Sequence, residues 1–144
     1  MSYIGLDIGD RRIGVSGSDA SGLIANGVET ITYARPRIAA ERIVGICQER
    51  RASAIIVGWP LETSGRVGRQ ARKVERFINV LSSLTEIPIH RWDERMTTRM
   101  ASRSLAEMGI RGQRRKGLLD QVAASIILQS WLDRQGDSVQ DDGT

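Results

Sequence analysis

The chain has 144 residues, of which 40% are apolar and 26% charged, with a formal net charge of +4 and a pI near 10.0. That length suits one domain with a full core, and no apolar run approaches the roughly 20 residues that span a membrane. The single cysteine, Cys47, excludes an internal disulfide and a cysteine-based metal site.

The N-terminus lacks the basic-then-apolar pattern of a signal peptide, so a cytoplasmic protein is expected. Aromatic residues are only 4% of the chain, and Ile, Val, Leu and Ala must therefore build the core. Of the 21 basic residues all but Lys73 and Lys116 are arginine. The planar guanidinium suits phosphate recognition. A basic balance raises the expectation of a nucleic-acid partner without fixing it.

Residues 3–19 read as a β-hairpin. Tyr3, Ile4, Leu6 and Ile8 form an apolar run too short for a helix and suited to a buried strand. Asp7 lies inside that run. An ionised carboxylate in a buried strand costs several kcal/mol unless something pairs with it. Gly9 and Asp10 supply the turn, and residues 13–18 return as a second strand. Gly5, Gly9, Gly14 and Gly17 remove side chains around the carboxylate, a pattern that marks close approach of a ligand or another backbone. Asp7 could equally cap backbone amides of a turn. Actin-like ATPases open on a similar phosphate-binding hairpin, but this chain is too short for two lobes that clamp a nucleotide.

Residues 23–33 read as a third strand, with Asn26-Gly27 as a bulge or a turn inside it. Short connections make the first three strands antiparallel neighbours. A helix over 37–51 puts Ala39, Ile43, Ile46 and Cys47 on one face. Ser53 to Gly58 is a continuous apolar strand of the central parallel kind. A loop over 60–68 leads to a helix over 67–84 with Val67, Ala71, Val74, Ile78 and Leu81 inward and Arg69, Arg72, Lys73 and Arg76 outward.

Residues 87–92 read as a fifth strand, with Asp93, Glu94 and Arg95 at its C-terminal end. Thr97 or Thr98 can cap a helix that stops near Met108 and Gly109. Residues 109–117 read as a loop with four positive charges. The last helix spans about 118–134 and is apolar nearly all round, hence largely buried. Residues 135–144 are small, polar and acidic, the composition of a disordered tail.

This order describes an α/β domain over 1–134 with a five-stranded mixed sheet, three antiparallel strands plus two parallel, and helices on both faces. Right-handed crossovers set the fourth and fifth strands parallel to the first. The carboxyl ends of the parallel strands are the expected ligand site.

Three acids lie near that site: Asp7, Glu94 and Asp120, the last in the first turn of the final helix. Ala123 and Ala124, one turn on, let that helix lie close to the sheet. Alternation and a tight turn could present either Asp93 or Glu94; Glu94 is favoured. Three clustered carboxylates repel unless cations bridge them. Hard oxygen donors without a Cys or His cluster favour Mg2+ or Mn2+ over zinc. Two such ions about 4 Å apart are a known arrangement for phosphodiester hydrolysis, and the protein then needs no nucleophile of its own. Taken singly, Asp120 could be a helix first-turn acid, and Glu94 could pair with Arg91 or Arg95.

Four stretches together carry a resemblance: Tyr-Ile-Gly-Leu-Asp-Ile-Gly-Asp-Arg-Arg-Ile-Gly-Val, Ile-Val-Gly-Trp-Pro-Leu, Trp-Asp-Glu-Arg-Met-Thr-Thr and Leu-Leu-Asp-Gln-Val-Ala-Ala-Ser-Ile-Ile-Leu-Gln-Ser-Trp-Leu. In this order, across residues 3 to about 132, they resemble the YqgF family. Its members are bacterial Holliday-junction-resolvase-like nucleases, also known as pre-16S rRNA nucleases. The resemblance implies a ribonuclease H-like fold, with Asp7, Glu94 and Asp120 as catalytic, metal-binding acids. It also implies a cytoplasmic nuclease that matures the 5′ end of pre-16S rRNA, free or on the ribosome.

Two departures matter. The loop after Pro60 reads Leu-Glu-Thr-Ser-Gly where relatives more often carry an Asn-Met-Asp-Gly type of sequence. Junction resolvases carry a fourth acid one turn before the last, and here that position is Lys116 or Gly117. Cleavage of DNA junctions is therefore the weaker expectation. Another alternative is an RNA- or ribosome-binding module with little catalysis of its own.

Arg11, Arg12, Arg95, Arg114, Arg115 and Lys116 are the candidate phosphate contacts, positioning a strand without reading its sequence. His90 reads as a strand residue rather than a general base. Trp59 and Trp92 could stack bases or pack in the core. The chain could act as a monomer or a homodimer.

Overall fold

The computed structural model describes residues 1–60, 67–93 and 112–142, with helical backbone alone for 112–117 and 136–142. β1 (Ser2–Ile8) and β2 (Arg12–Ser18) form the expected hairpin, with Asp7 directly opposite Gly14. β3 (Ala25–Thr32) pairs antiparallel to β2, and the register shifts between Val15 and Ser16. Asn26-Gly27 therefore lies inside a bulged strand and is not a turn. α1 (Pro36–Arg50) opens on a proline and ends where Arg51 adopts a left-handed φ of 54°.

β4 (Ala52–Trp59) runs parallel to β1, and β5 (Ile89–Asp93) runs parallel to β4. Between them lies α2 (Arg69–Ser82), and the described chain closes with α3 (Gly112–Asp142). The sheet order is β3-β2-β1-β4-β5. The mixed sheet of three antiparallel and two parallel strands matches the sequence expectation. The helix expected between Thr97 and Met108 lies outside the described residues.

Strand alternation divides the core. Ile4, Leu6, Ile13, Val15, Ile55 and Val57 face α1 and α2, where Ile43, Ile46, Val74, Phe77 and Leu81 close over them. The opposite face is smaller, with Ala54 and Ile56 meeting Ile127, Leu128 and Leu132 of α3. Each fully buried Ile or Leu contributes about 1.5–3 kcal/mol, so the α1/α2 face carries most of the hydrophobic stabilisation. Cys47 belongs to that core. Burial pushes its thiol up to about 11, which leaves it inert at neutral pH.

α3 is tied down by polar contacts as well. Ser16 Oγ donates to the Ala124 carbonyl at 2.8 Å. Gln129 Oε1 accepts from the Ala25 N–H at 2.9 Å, and Gln129 Nε2 donates to the Leu23 carbonyl at 2.9 Å. Ser130 Oγ accepts from the Trp92 indole at 3.1 Å.

Several boundaries differ from the sequence reading: β3 and α2 are shorter, Val67 is exposed ahead of α2, and β5 and α3 are shifted or extended. β5 begins at Ile89, after Pro88, which has no N–H for the ladder, and it ends at Asp93, one residue later than expected. α3 begins at Gly112 instead of about 118 and continues to Asp142 instead of 134. Residues 112–117, expected in a loop, are its first turns. Gly117 and Gly136 each weigh against a helix by about 1 kcal/mol. Extension of a helix already nucleated and packed needs little per residue.

Candidate functional site

With Ile4, Leu6 and Ile8 turned into the α1/α2 core, the pleat sends Tyr3, Gly5 and Asp7 to the face covered by α3. Asp7 is half-buried near the C-terminal end of β1. Across the ladder from it is Gly14, and the α3 backbone rests there: a Cβ on Gly14 would overlap the Asp120 carbonyl. A Cβ on Gly5 would stand 2.7 Å from Leu128 Cβ and 2.9 Å from the Ala124 carbonyl. One on Gly27 would stand 2.8 Å from Gln121 Oε1. Three glycines on three adjacent strands thus make a flat bed for one helix. The bed seats Asp120 on the direct cross-strand neighbour of Asp7, and such neighbours lie about 5 Å apart.

Arg12, at the start of β2, reaches into this junction. Its Nε donates to Asp120 Oδ2 at 2.7 Å, a charge-assisted bond across 108 residues of sequence. The Asp120 side chain retains 18% exposure and that of Arg12 41%. Arg12, read from sequence as a phosphate contact, is first of all the partner of a candidate catalytic acid. Arg11 beside it is exposed in the turn, which the Gly9 N–H closes on the Arg12 carbonyl at 2.9 Å.

On the other side of the turn, Asp10 accepts from Lys73 Nζ at 2.7 Å. Its carboxyl is held below the usual range by that bond and by the nearby charges of Lys73, Arg11 and Arg69.

β5 distributes its side chains by the same alternation. Arg91 turns to α2, where its Nη2 donates to Glu75 Oε2 at 2.7 Å and its guanidinium lies 5.1 Å from the Trp59 ring centre. His90 and Trp92 turn to α3: His90 stacks on Trp131 at 5.8 Å, and Trp92 bonds Ser130. Both Trp92 and Trp59 pack against core clusters. Asp93 ends β5 in register with Trp59 of β4. Glu94 and Arg95 lie outside the described residues. So do the side chains of Arg114, Arg115 and Lys116, whose backbone forms the early turns of α3 ahead of Asp120.

The donors gathered by the described chain are the carboxylates of Asp7 and Asp120. Cys47 is buried in the opposite core and His90 is stacked on Trp131. This hard, all-oxygen chemistry fits magnesium or manganese and not zinc. Among the described residues no group of three or more His, Cys, Asp or Glu side chains could hold an ion. The third candidate acid, Glu94, is not among them.

Sequence reading overlooked Ser16 and Gln121, which anchor α3 to the sheet from β2 and from the helix itself. Gln121 Nε2 donates to Thr30 Oγ1 at 3.1 Å. A serine at an inward strand position between two glycines, Gly14 and Gly17, was the available signal for the first.

The sheet order and the long helix across its glycine bed define the ribonuclease H-like fold. T. thermophilus RuvC in complex with Holliday junction substrate matches with a TM-score of 0.59 over 94% of this chain and 96% of that one, at 16% identity. The family model RuvX, Holliday junction resolvase, covers residues 1–134, and the chain belongs to that family, also called YqgF.

Its relatives include two proteins named "Putative pre-16S rRNA nuclease". The one from Synechococcus sp. (strain JA-2-3B'a(2-13)) is 42% identical over 144 residues, covering 98% of this chain and 83% of the relative. The one from Halothermothrix orenii is 43% identical over 135 residues, covering 94% and 96%. The chain is thus a nuclease, a hydrolase of nucleic-acid phosphodiesters. Among the described residues no helix is long and apolar enough to cross a membrane.

Proposed function

We propose that the chain is a divalent-metal nuclease that cleaves precursor 16S rRNA at its 5′ end in the cytoplasm, with Asp7, Glu94 and Asp120 as the metal-holding acids. The observation that carries this reading is the seating of Asp120 on Gly14, the cross-strand partner of Asp7. A magnesium or manganese ion, when bound, supplies Lewis acidity to the scissile phosphate and the attacking water.

The chain's own groups orient and bind. The glycine bed holds Asp120 at a fixed height over β2. Arg12 holds its Oδ2 and offsets the repulsion between two neighbouring carboxylates. Arg11, Arg95, Arg114, Arg115 and Lys116 supply positive charge for the RNA backbone. The choice of RNA over a DNA junction rests on the names of the relatives and on Lys116-Gly117. A junction resolvase has its further acid at that place.

The test is cleavage of two labelled substrates, an RNA spanning the immature 5′ end of 16S rRNA and a four-way DNA junction. Each is incubated with magnesium, with manganese and with chelator. Metal-dependent cleavage of the RNA, with the junction intact, is the expected outcome. Cleavage of the junction alone would assign the resolvase reaction. Tight RNA binding without cleavage under any condition would make the chain a binding module.

A further inference from the structure

The exposed face of α2 carries a basic stripe that the catalytic reading does not use. Arg69, Arg72, Lys73 and Arg76 recur at i, i+3, i+4 and i+7, opposite the buried Ala71, Val74, Phe77, Ile78 and Leu81. Residues at that spacing share one side of a helix. From Arg69 to Arg76 the stripe runs about 10 Å along the axis.

Little in the described protein neutralises it. The one acid of α2, Glu75, is taken up by both Nε and Nη2 of Arg91. Lys73 pairs with Asp10. Among the described residues Arg69, Arg72 and Arg76 enter no ion pair.

The stripe also defies the local rules of helix stability. The first turn of α2 contains no acid and begins with Arg69, where the helix dipole disfavours a cation. Gly68 caps it without a side-chain bond. The charge of Arg69, placed against local preference and outside any ion pair among the described residues, points to a role outside folding.

The stripe leads to the site. Gln70 Nε2 donates to the Ile8 carbonyl at 3.3 Å, tying the start of α2 to the residue after Asp7. Asp10, in the hairpin turn, bonds Lys73 at 2.7 Å and is also held down by the charges of Arg11 and Arg69, which places the turn beside the start of the stripe.

We propose that this surface, Arg11 with Arg69, Arg72, Lys73 and Arg76, is a backbone track for the single-stranded RNA flanking the cleaved bond. The occupant follows from charge: several cations in a row, spaced by helical turns, complement the regular phosphates of a nucleic acid strand. The inference rests on the nuclease reading above, and it names where the substrate lies beyond the reacting phosphate.

The test is binding of a fluorescein-labelled single-stranded RNA by anisotropy at several salt concentrations, in an Asp7→Asn background so that nothing is cleaved. The stripe variant is Arg69→Gln/Arg72→Gln/Arg76→Gln. A charge-matched control is Arg50→Gln/Arg51→Asn/Arg134→Gln, at the far end of α1 and late in α3. Thermal melting checks that both remain folded.

The track predicts that the stripe variant binds about tenfold or more weakly, with a log–log salt slope shallower by about 2. The control should bind with nearly the parent slope. Equal slopes for stripe, control and parent would overturn the track while metal-dependent cleavage by the wild type left the nuclease standing. Loss of affinity for a ribosomal protein, with RNA binding unchanged, would assign the stripe to a protein partner and overturn the RNA track. Absence of both RNA binding and cleavage in the wild-type chain would bring down both readings.

Discussion

Asp7→Asn is expected to lower RNA cleavage at least about a thousandfold while leaving the fold and its melting temperature close to wild type. Metal-based charge stabilisation contributes several kcal/mol to phosphodiester hydrolysis, and each 1.36 kcal/mol is a factor of about ten in rate. Asn keeps the size and one oxygen of Asp but loses the charge that draws a cation. Asp7 is half-buried near the C-terminal end of the central strand β1, on the face away from the α1/α2 core. Single-turnover cleavage with saturating protein reads the effect directly. A variant that cleaves within tenfold of wild type would remove Asp7 from the reaction.

The second large effect belongs to a residue with no chemistry. Gly14→Val should displace α3, because the new Cβ meets the Asp120 backbone, which cannot rotate away as a side chain can. Overpacking of this kind costs about 1–3 kcal/mol, a fall of several degrees in melting temperature for a chain of this size. Displacing Asp120 by even about 1 Å from its working position costs about a hundredfold in rate.

Gly45→Ala is the matched control. It lies inside α1, and a methyl group there would meet nothing within 4 Å. Alanine at this position should stabilise the helix by up to about 1 kcal/mol and leave cleavage unchanged. If Gly14→Val melts and cleaves as wild type does, α3 does not rest on β2 in the way described.

Much of this arrangement can be read from short-range pattern. The alternation of Ile4, Leu6 and Ile8 fixes the side of the sheet on which Asp7 stands. Gly5 and Gly14, together with Ala124, announce a close backbone approach before any coordinates are known.

What escapes the sequence depends on long-range partners or on competing local preferences. Nothing near Arg12 indicates that it meets Asp120, 108 residues away. The choice between Asp93 and Glu94 lies beyond short-range pattern, because Glu94 follows the last residue of β5 and falls outside the described residues. The start of α3 is obscured because Gly112 and Gly117 are poor helix residues. Trp59 and Trp92 offer equal readings as base platforms or core, and only their neighbours, Arg91 and Ser130, assign them to packing.

The proposed catalytic role of this site turns on Asp7 and Asp120 holding a divalent cation together. A manganese titration, followed by the electron paramagnetic resonance signal of the free ion, decides it on wild type, Asp7→Asn and Asp120→Asn. Wild type is expected to take up manganese, and magnesium to displace it. Each substitution should weaken uptake at least about tenfold, since each removes a charged ligand from a small oxygen site. Uptake by both variants equal to that of wild type would contradict a shared cation.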